Sequence, residues 1–333
     1  MDRDWAFCVT KPRLSPIPAH QVSCGHSSAT IRQRWSILPA RAYFYLVVTT
    51  LFWGGNTAFG KMAVGHISPM LLNLARWAIA FAVIALISVP QLRKDWPEMR
   101  RNWLLLLAYG AIGYTGFAGL LYLALKYTSA VNGAIEQGGI PVLIFIINFV
   151  FFRIPVSLVQ IAGFMISFVG VALTASHGDL STLLELTLNY GDALLLLASL
   201  AYAVYTVALR WRPNIHWRSL MTGSAFGAVL SGIPLLFWEA QTGNLITPDA
   251  LGWGIIAYAA LLPSLVSQIL YVKGVEVIGA NRAGLFINLV PVFGTGLSIL
   301  VLGESMQLFH LVALILVIGG IAIAEWGKPA ASS

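Results

Sequence analysis

Ten stretches of 17 to 24 mostly apolar residues follow one another between residues 42 and 324, and they dominate everything the chain can fold into. They lie at 42–60, 69–89, 103–125, 129–152, 156–175, 192–209, 219–237, 251–272, 283–302 and 308–324. At a rise of about 1.5 Å per residue, each helix of this length crosses a hydrocarbon core of roughly 30 Å, with some tilt or local thinning. Only 10% of the residues are charged, against about 25% in an ordinary soluble domain. The expected fold class is an all-α integral membrane protein of ten transmembrane helices, with no room for a soluble catalytic module.

The net charge of +7 reports orientation instead of nucleic-acid binding, because the basic residues sit between the apolar runs. With the N-terminus inside, 17 Lys and Arg side chains fall on the cytoplasmic side, Lys61 and Lys126 on the other, and Arg76 within a span. The asymmetry predicts that both termini are cytoplasmic. Trp103, Trp211, Trp217, Trp238, Trp253 and Trp326 lie near helix ends, where an aromatic belt meets the interface. Residues 1–40, with Pro12, Pro16, Pro18 and Pro39, read as a disordered cytoplasmic tail, and 327–333 as a short C-terminal tail. Cys8 and Cys24 supply no disulfide framework, and His20, Cys24 and His26 match no zinc spacing. No metal, cofactor or catalytic residue is expected: phosphate loops, paired metal-ligand histidines and nucleophile motifs are all missing from the sequence.

Shifting the chain on itself by about 150 residues lays Leu120 to Val142 over Ile269 to Val292, matching Tyr122 with Tyr271 and Pro141 with Pro291, and lays Gly170 over Gly320. The domains are therefore a first five-helix repeat at 41–176 and a second at 190–326. Because five is odd, the second enters the membrane from the opposite side, giving two inverted repeats around a central site. Such halves can exchange conformations and open that site to either side in turn.

LFWGGNTAFGKMAVGHISPMLLNLARWAIAF (Leu51 to Phe81), YGDALLLLASLAYAVYTVALR (Tyr190 to Arg210) and LGESMQLFHLVALILVIGGIAIA (Leu302 to Ala324) resemble the EamA-like family of the drug/metabolite transporter superfamily. The resemblance covers roughly 42–326 and departs at Phe152-Arg153-Ile154, where the acidic residue that follows the fourth helix in the family is missing. It implies a substrate cavity between the first, third, fourth, sixth, eighth and ninth helices, the fifth and tenth being peripheral. It also implies export of small metabolites from a bacterial cytoplasmic membrane.

Polar residues inside the spans are costly and mark candidate sites. Arg76 and Glu136 each lie eight residues into their spans from the outer side, about 12 Å deep, so they are expected to face the interior and pair. Glu136 then reads either as a group that changes protonation or touches a substrate amine, or as a static strut. Gln137, Gly138, Gly139 and Pro141 in one half, and Asn288 with Pro291 in the other, form matched interruptions that point to the binding region or to packing kinks. Trp53, Asn56, Tyr114, Tyr122, Tyr202, Tyr205, Gln268, Tyr271 and Asn288 complete the candidate cavity for an amphipathic organic solute. Gly163, Gly170, Gly319 and Gly320 read as close-packing positions, through which the fifth and tenth helices offer a route to a homodimer. Asp192 and Glu304 read as helix-end residues. The expected function is secondary transport of amino acids or related solutes by alternating access, with the lipid bilayer and a small-molecule substrate as partners. The alternatives are a broad drug efflux transporter of the same fold and a non-transporting membrane scaffold or enzyme.

Overall fold

The computed structural model describes residues 28–124, 127, 136–179, 181, 189–302 and 306–327, and every regular element among them is helical. Helix α1 runs Ser28–Met62, α2 Pro69–Arg101, α3 residues 103–124, α4 Glu136–Phe152 and α5 Leu158–Ala175; α6 runs Tyr190–Trp211, α7 Trp217–Gln241, α8 Ala250–Ile278, α9 residues 280–302 and α10 Leu308–Trp326. Seven of these (α2, α3, α5, α6, α7, α8 and α10) are long and apolar enough to cross a membrane, and α4 is a shorter apolar helix. The tail expected over residues 1–40 is helical from Ser28: the stretch up to Leu38 holds no glycine or proline to stop a helix. Residues 1–27, Glu304 and the C-terminal tail beyond Gly327 lie outside the described residues.

Capping chemistry fixes where the helices begin. Ser157 and Gln160 close a capping box at α5, and Asn189 and Asp192 close another at α6, giving Asp192 the helix-end role its position suggested. Asp249 caps α8 through Gly252 N–H, and that bond, together with His66 at 2.6 Å, holds its carboxyl below the ordinary range. Where the acidic residue is missing after α4, Arg153 takes a left-handed conformation (φ 54°) and the helix closes through Arg153 N–H to Phe149 O and Ile154 N–H to Asn148 O.

Burial follows helical periodicity. On α2 the buried positions Asn73, Arg76, Trp77, Ala80, Ile84 and Ser88 form one stripe toward the interior, while Leu86 and Ile87 stand exposed beside it. Phe151, Leu158, Leu300 and Leu308 are likewise exposed, a surface that only lipid satisfies at this density. Trp103, Trp211, Trp238, Trp253 and Trp326 are exposed near helix ends, as an interfacial belt requires.

Corresponding helices of the two halves pack on one another. Two extensive interfaces are α5 with α10 and α2 with α7. A Cβ on Gly163 would stand 2.5 Å from Gly320 O, and one on Gly170 would stand 2.8 Å from Ala313 O. The 150-residue shift carries Gly163 to Ala313 and Gly170 to Gly320, so these are one contact seen from each half. The small-residue faces considered as a route to a homodimer are thus used within the chain; Gly319 is the exception, with nothing within 4 Å of its built Cβ.

The same pairs run antiparallel. Ser157, just before α5, donates to the carbonyl of Gly327, just after α10. Glu239, near the end of α7 and only 2% exposed, accepts from Met70 N–H and Leu71 N–H in the first turn of α2 at 3.1–3.2 Å. Reciprocally, Asp95 near the end of α2 accepts from His216 N–H, at the entry to α7, at 3.0 Å. Each helix thus lends a carboxylate to the other's positive end, where unpaired N–H groups and the helix dipole both favour it.

Two outcomes are expected from these interfaces. Gly163→Leu is expected to abolish a monodisperse peak in size-exclusion chromatography of the detergent-extracted protein, whereas Gly319→Leu elutes as the unmodified chain does. Glu239→Ala, which strands the buried Met70 N–H at about 1–3 kcal/mol and the half-buried Leu71 N–H at less, is expected to lower the thermal unfolding midpoint more than Glu239→Gln, which keeps one acceptor oxygen.

Candidate functional site

The middle of the third helix in each half departs from α-helical geometry at matching positions. Tyr109–Gly116 in α3 and Ala260–Val266 in α8 are π-helical, about 150 residues apart. Such widened turns shift the register of the rest of the helix and leave carbonyls for tertiary partners. In α8 the carbonyl of Pro263 accepts from Trp53 Nε1 at 3.1 Å, and Ser267 O accepts from Thr49 Oγ1, joining α8 to α1. In α3, Gly113 lies so close to α6 that a Cβ there would stand 2.3 Å from Tyr205 Cγ.

These segments frame a central cavity with about 690 Å³ of space not occupied by atoms, its mouth included. Helices α1, α2, α3, α4, α6, α8 and α9 all contribute to its lining. Trp53 and Asn56 come from α1, Arg76 and Trp77 from α2, Tyr114 and Phe117 from α3. Opposite them stand Gln137 from α4, Tyr202 from α6 and Gln268 from α8. Trp77 and Tyr114 stack at 4.3 Å with their planes 7° apart, and Trp53 meets Tyr202 edge-on at 5.7 Å.

A hydrogen-bonded layer closes one side of the cavity. Gln268 Nε2 donates to Tyr205 OH at 2.8 Å, Tyr205 OH lies 3.3 Å from Tyr114 OH, and Thr206 Oγ1 lies 3.2 Å from Tyr271 OH. Beyond it a second, more open cavity, with about 940 Å³ of space not occupied by atoms including its mouth, is lined by Thr206 together with Arg210, Arg212, Glu276, Asn281 and Arg282. Tyr271 packs its ring 5.2 Å from that of Trp53, so the layer between the two cavities is about one side chain thick.

Seven of the twelve candidate residues meet in the central cavity: Trp53, Asn56, Arg76, Tyr114, Gln137, Tyr202 and Gln268. Tyr205 and Tyr271 form the layer behind them. Asn288 turns away, its Nδ2 donating to Ser167 Oγ on α5 at 2.9 Å, and the side chain of Tyr122 lies outside those described. The matched interruptions appear as a break in α4 at Gly139, just before Pro141, and a 3₁₀ turn at Phe286–Asn288, just before Pro291; Gly138 is buried against Val171.

The direct Arg76–Glu136 pair does not form. The ion pairs among the described residues are His66–Asp249, Arg212–Glu276 and Arg282–Glu325, the last also engaging Tyr43. Arg76, 8% exposed, instead reaches Asn56 Oδ1 at 3.5 Å and lies 5.5 Å from the Trp77 ring. The expectation of pairing took only depth into account; the charge acting on Glu136 is Asp192 at the start of α6. Trp77 and Phe117 are absent from the sequence candidates because the cost of burial in lipid singles out polar side chains, although Trp77 directly follows Arg76.

Comparison with known proteins agrees with this architecture. The EamA-like transporter family profile matches twice, at residues 40–176 and 189–326. The Bacillus subtilis protein named uncharacterized transporter YyaM is 29% identical over 288 residues, covering 85% of this chain and 93% of that one. An uncharacterized transporter of Archaeoglobus fulgidus is 25% identical over 292 residues, covering 85% and 96%. A solved crystal structure superposes with a TM-score of 0.70 at 17% identity over 86% of this chain and 97% of its own, a likeness of fold. With both halves matched and the relatives named as transporters, this chain belongs to the EamA-like transporter family and is a multi-pass membrane transporter, not an enzyme.

Proposed function

We propose that the chain is a secondary transporter of small metabolites, amino acids or related amphipathic solutes, which it exports across a bacterial cytoplasmic membrane by alternating access. The observation that carries this reading is a central cavity built from both halves and divided from a second cavity by one layer of side chains. Rearranging Tyr114, Tyr205, Gln268, Thr206 and Tyr271 joins the two spaces without unfolding a helix. All ten helices cross the membrane in this reading, as two inverted five-helix repeats with both termini cytoplasmic. The antiparallel pairing of α2 with α7 and α5 with α10, each helix against its counterpart, supports the inversion. The Lys and Arg asymmetry supports the orientation, and in this reading the second cavity, with Arg210, Arg212 and Arg282 in its lining, faces the cytoplasm.

The aromatic walls also suit a broad drug efflux transporter of this fold, since Trp53, Trp77, Tyr114, Phe117 and Tyr202 accept many apolar bodies. Arg76 in the wall favours solutes with a polar or anionic end instead.

Everted membrane vesicles carrying the protein are expected to accumulate labelled amino acids from a mixed pool. Glu136→Gln separates a proton-carrying role, in which accumulation and its pH dependence are lost, from a strut, in which both persist; failure of the unmodified protein to move any solute sinks the transport reading. For orientation, in a Cys8→Ser, Cys24→Ser background, Lys61→Cys is expected to react with a membrane-impermeant maleimide added outside intact cells, and Lys328→Cys only after the membrane is opened. The reverse pattern overturns the topology.

A further inference from the structure

The central cavity holds a cation that forms no ion pair among the described residues. Arg76 is more than nine-tenths buried, it reaches an amide oxygen at the 3.5 Å limit of a hydrogen bond, and its Nε has no partner among the described residues. A guanidinium taken out of water and left unpaired is among the most expensive groups a protein can bury, and the cost is relieved by an opposite charge with matching geometry. A further donor beside it, Trp77 Nε1, also lacks a partner among the described residues. A buried indole is normally hydrogen-bonded. Two idle donors side by side on one wall mark a site for a ligand that brings acceptors.

The shape of those groups narrows the ligand. A guanidinium presents paired N–H donors that fit a planar carboxylate. One cation balances a single negative charge and would leave a doubly charged phosphate half neutralised. Next to Arg76 the walls are rings, Trp77 and Tyr114 stacked on one side, Trp53 and Tyr202 edge to face on the other, with Phe117 packed on Tyr202 at 5.1 Å. These suit an apolar body attached to the acid. The second cavity has the same polarity: of its lining arginines, Arg212 pairs with Glu276 and Arg282 with Glu325, and Arg210 forms no ion pair among the described residues, leaving a net positive charge. A basic antechamber raises the local concentration of anions and disfavours cations.

We infer that this cavity selects solutes bearing a carboxylate on an apolar body, and that Arg76 is the residue that holds the carboxylate. The inference rests on the reading of the cavity as the transport site and names what that site takes: monocarboxylates and zwitterions with a free carboxylate, in preference to amines and neutral amides of the same shape. Glu136 is not among the residues lining the cavity and is influenced by the charge of Asp192, so it is given no part in holding the acid.

The test uses the full chain in lipid nanodiscs and three matched probes, 3-phenylpropionate, 3-phenylpropanamide and 3-phenylpropylamine. Binding is read from the change in intrinsic tryptophan fluorescence that is diminished in Trp77→Phe, and from thermal stabilisation. The acid is expected to bind at least about tenfold more tightly than the amide or the amine. Arg76→Gln is expected to abolish that preference, and Arg76→Lys, which keeps the charge without the fork, to retain part of it. Lysine also controls for folding, since both variants must elute as the unmodified protein does. Equal binding of acid and amide, an unchanged preference in Arg76→Gln, stabilisation by chloride alone, or no binding of any probe each overturns the inference. Proteoliposome flux separates its failure from that of the transport reading. Flux of non-acidic solutes that is indifferent to Arg76→Gln leaves transport standing and removes the carboxylate site, whereas no flux of any solute from a mixed metabolite pool removes transport itself.

Discussion

Backbone groups in a bilayer must find partners inside the protein, and this chain meets that demand by setting each half against the other. The carboxylates of Glu239 and Asp95 show the arrangement in its smallest form, one supplied by α7 to the start of α2, the other by α2 to the entry of α7. The glycine contacts of α5 and α10 repeat it without charge, bringing two backbones close enough that a methyl group at Gly163 or Gly170 would collide with the neighbouring main chain. Since lipid offers helices no hydrophobic reason to associate, such close packing and directed hydrogen bonds hold the bundle together. The peripheral pair contributes no lining residue of the central cavity among those described and leaves the remaining helices to shape it.

The interior uses irregular helix where the periphery is regular. The π turns of α3 and α8 free the Pro263 carbonyl for Trp53 and bring Gly113 against Tyr205, so that aromatic rings from α1, α3 and α6 gather at one level. The α4 break at Gly139 and the 3₁₀ turn before Pro291 add the second pair of interruptions. These two departures from α-geometry thus come in matched pairs, one per half, and lie in helices that line the cavity. Non-helical backbone at membrane depth is tolerated where protein or a water-filled space surrounds it.

Much of this was legible in the chain itself. The apolar runs located the helices, the 150-residue self-match located the halves, and the cost of polar groups in lipid drew attention to Arg76, Asn56 and Gln268. What escaped the sequence depended on which way a side chain faces. Depth alone suggested that Arg76 and Glu136 would meet, yet a helix at a given level has a full circle of directions, and Asn56 occupies the one toward Arg76. Asn288 shares its depth with the cavity and points to Ser167 instead. The π turns left little trace, because Gly110, Gly113 and Gly116 in one half correspond to a segment built around Pro263 in the other, and neither pattern spells out a widened turn. The helical stretch from Ser28 was obscured by the prolines that precede it.

The reciprocal caps of α2 and α7 also restrict how the molecule can move. A slide of one helix along the other by a turn, about 5.4 Å, would uncover a helix terminus at each end at once and separate two carboxylates from their donors. A change of crossing angle would pull both ends apart as well, whereas moving the two helices together as one body leaves them seated. The pair therefore behaves as a pin with both heads riveted: it turns as a whole and refuses relative travel. Any opening of the bundle must be carried by the helices arranged around it, with α2 and α7 as the fixed axle.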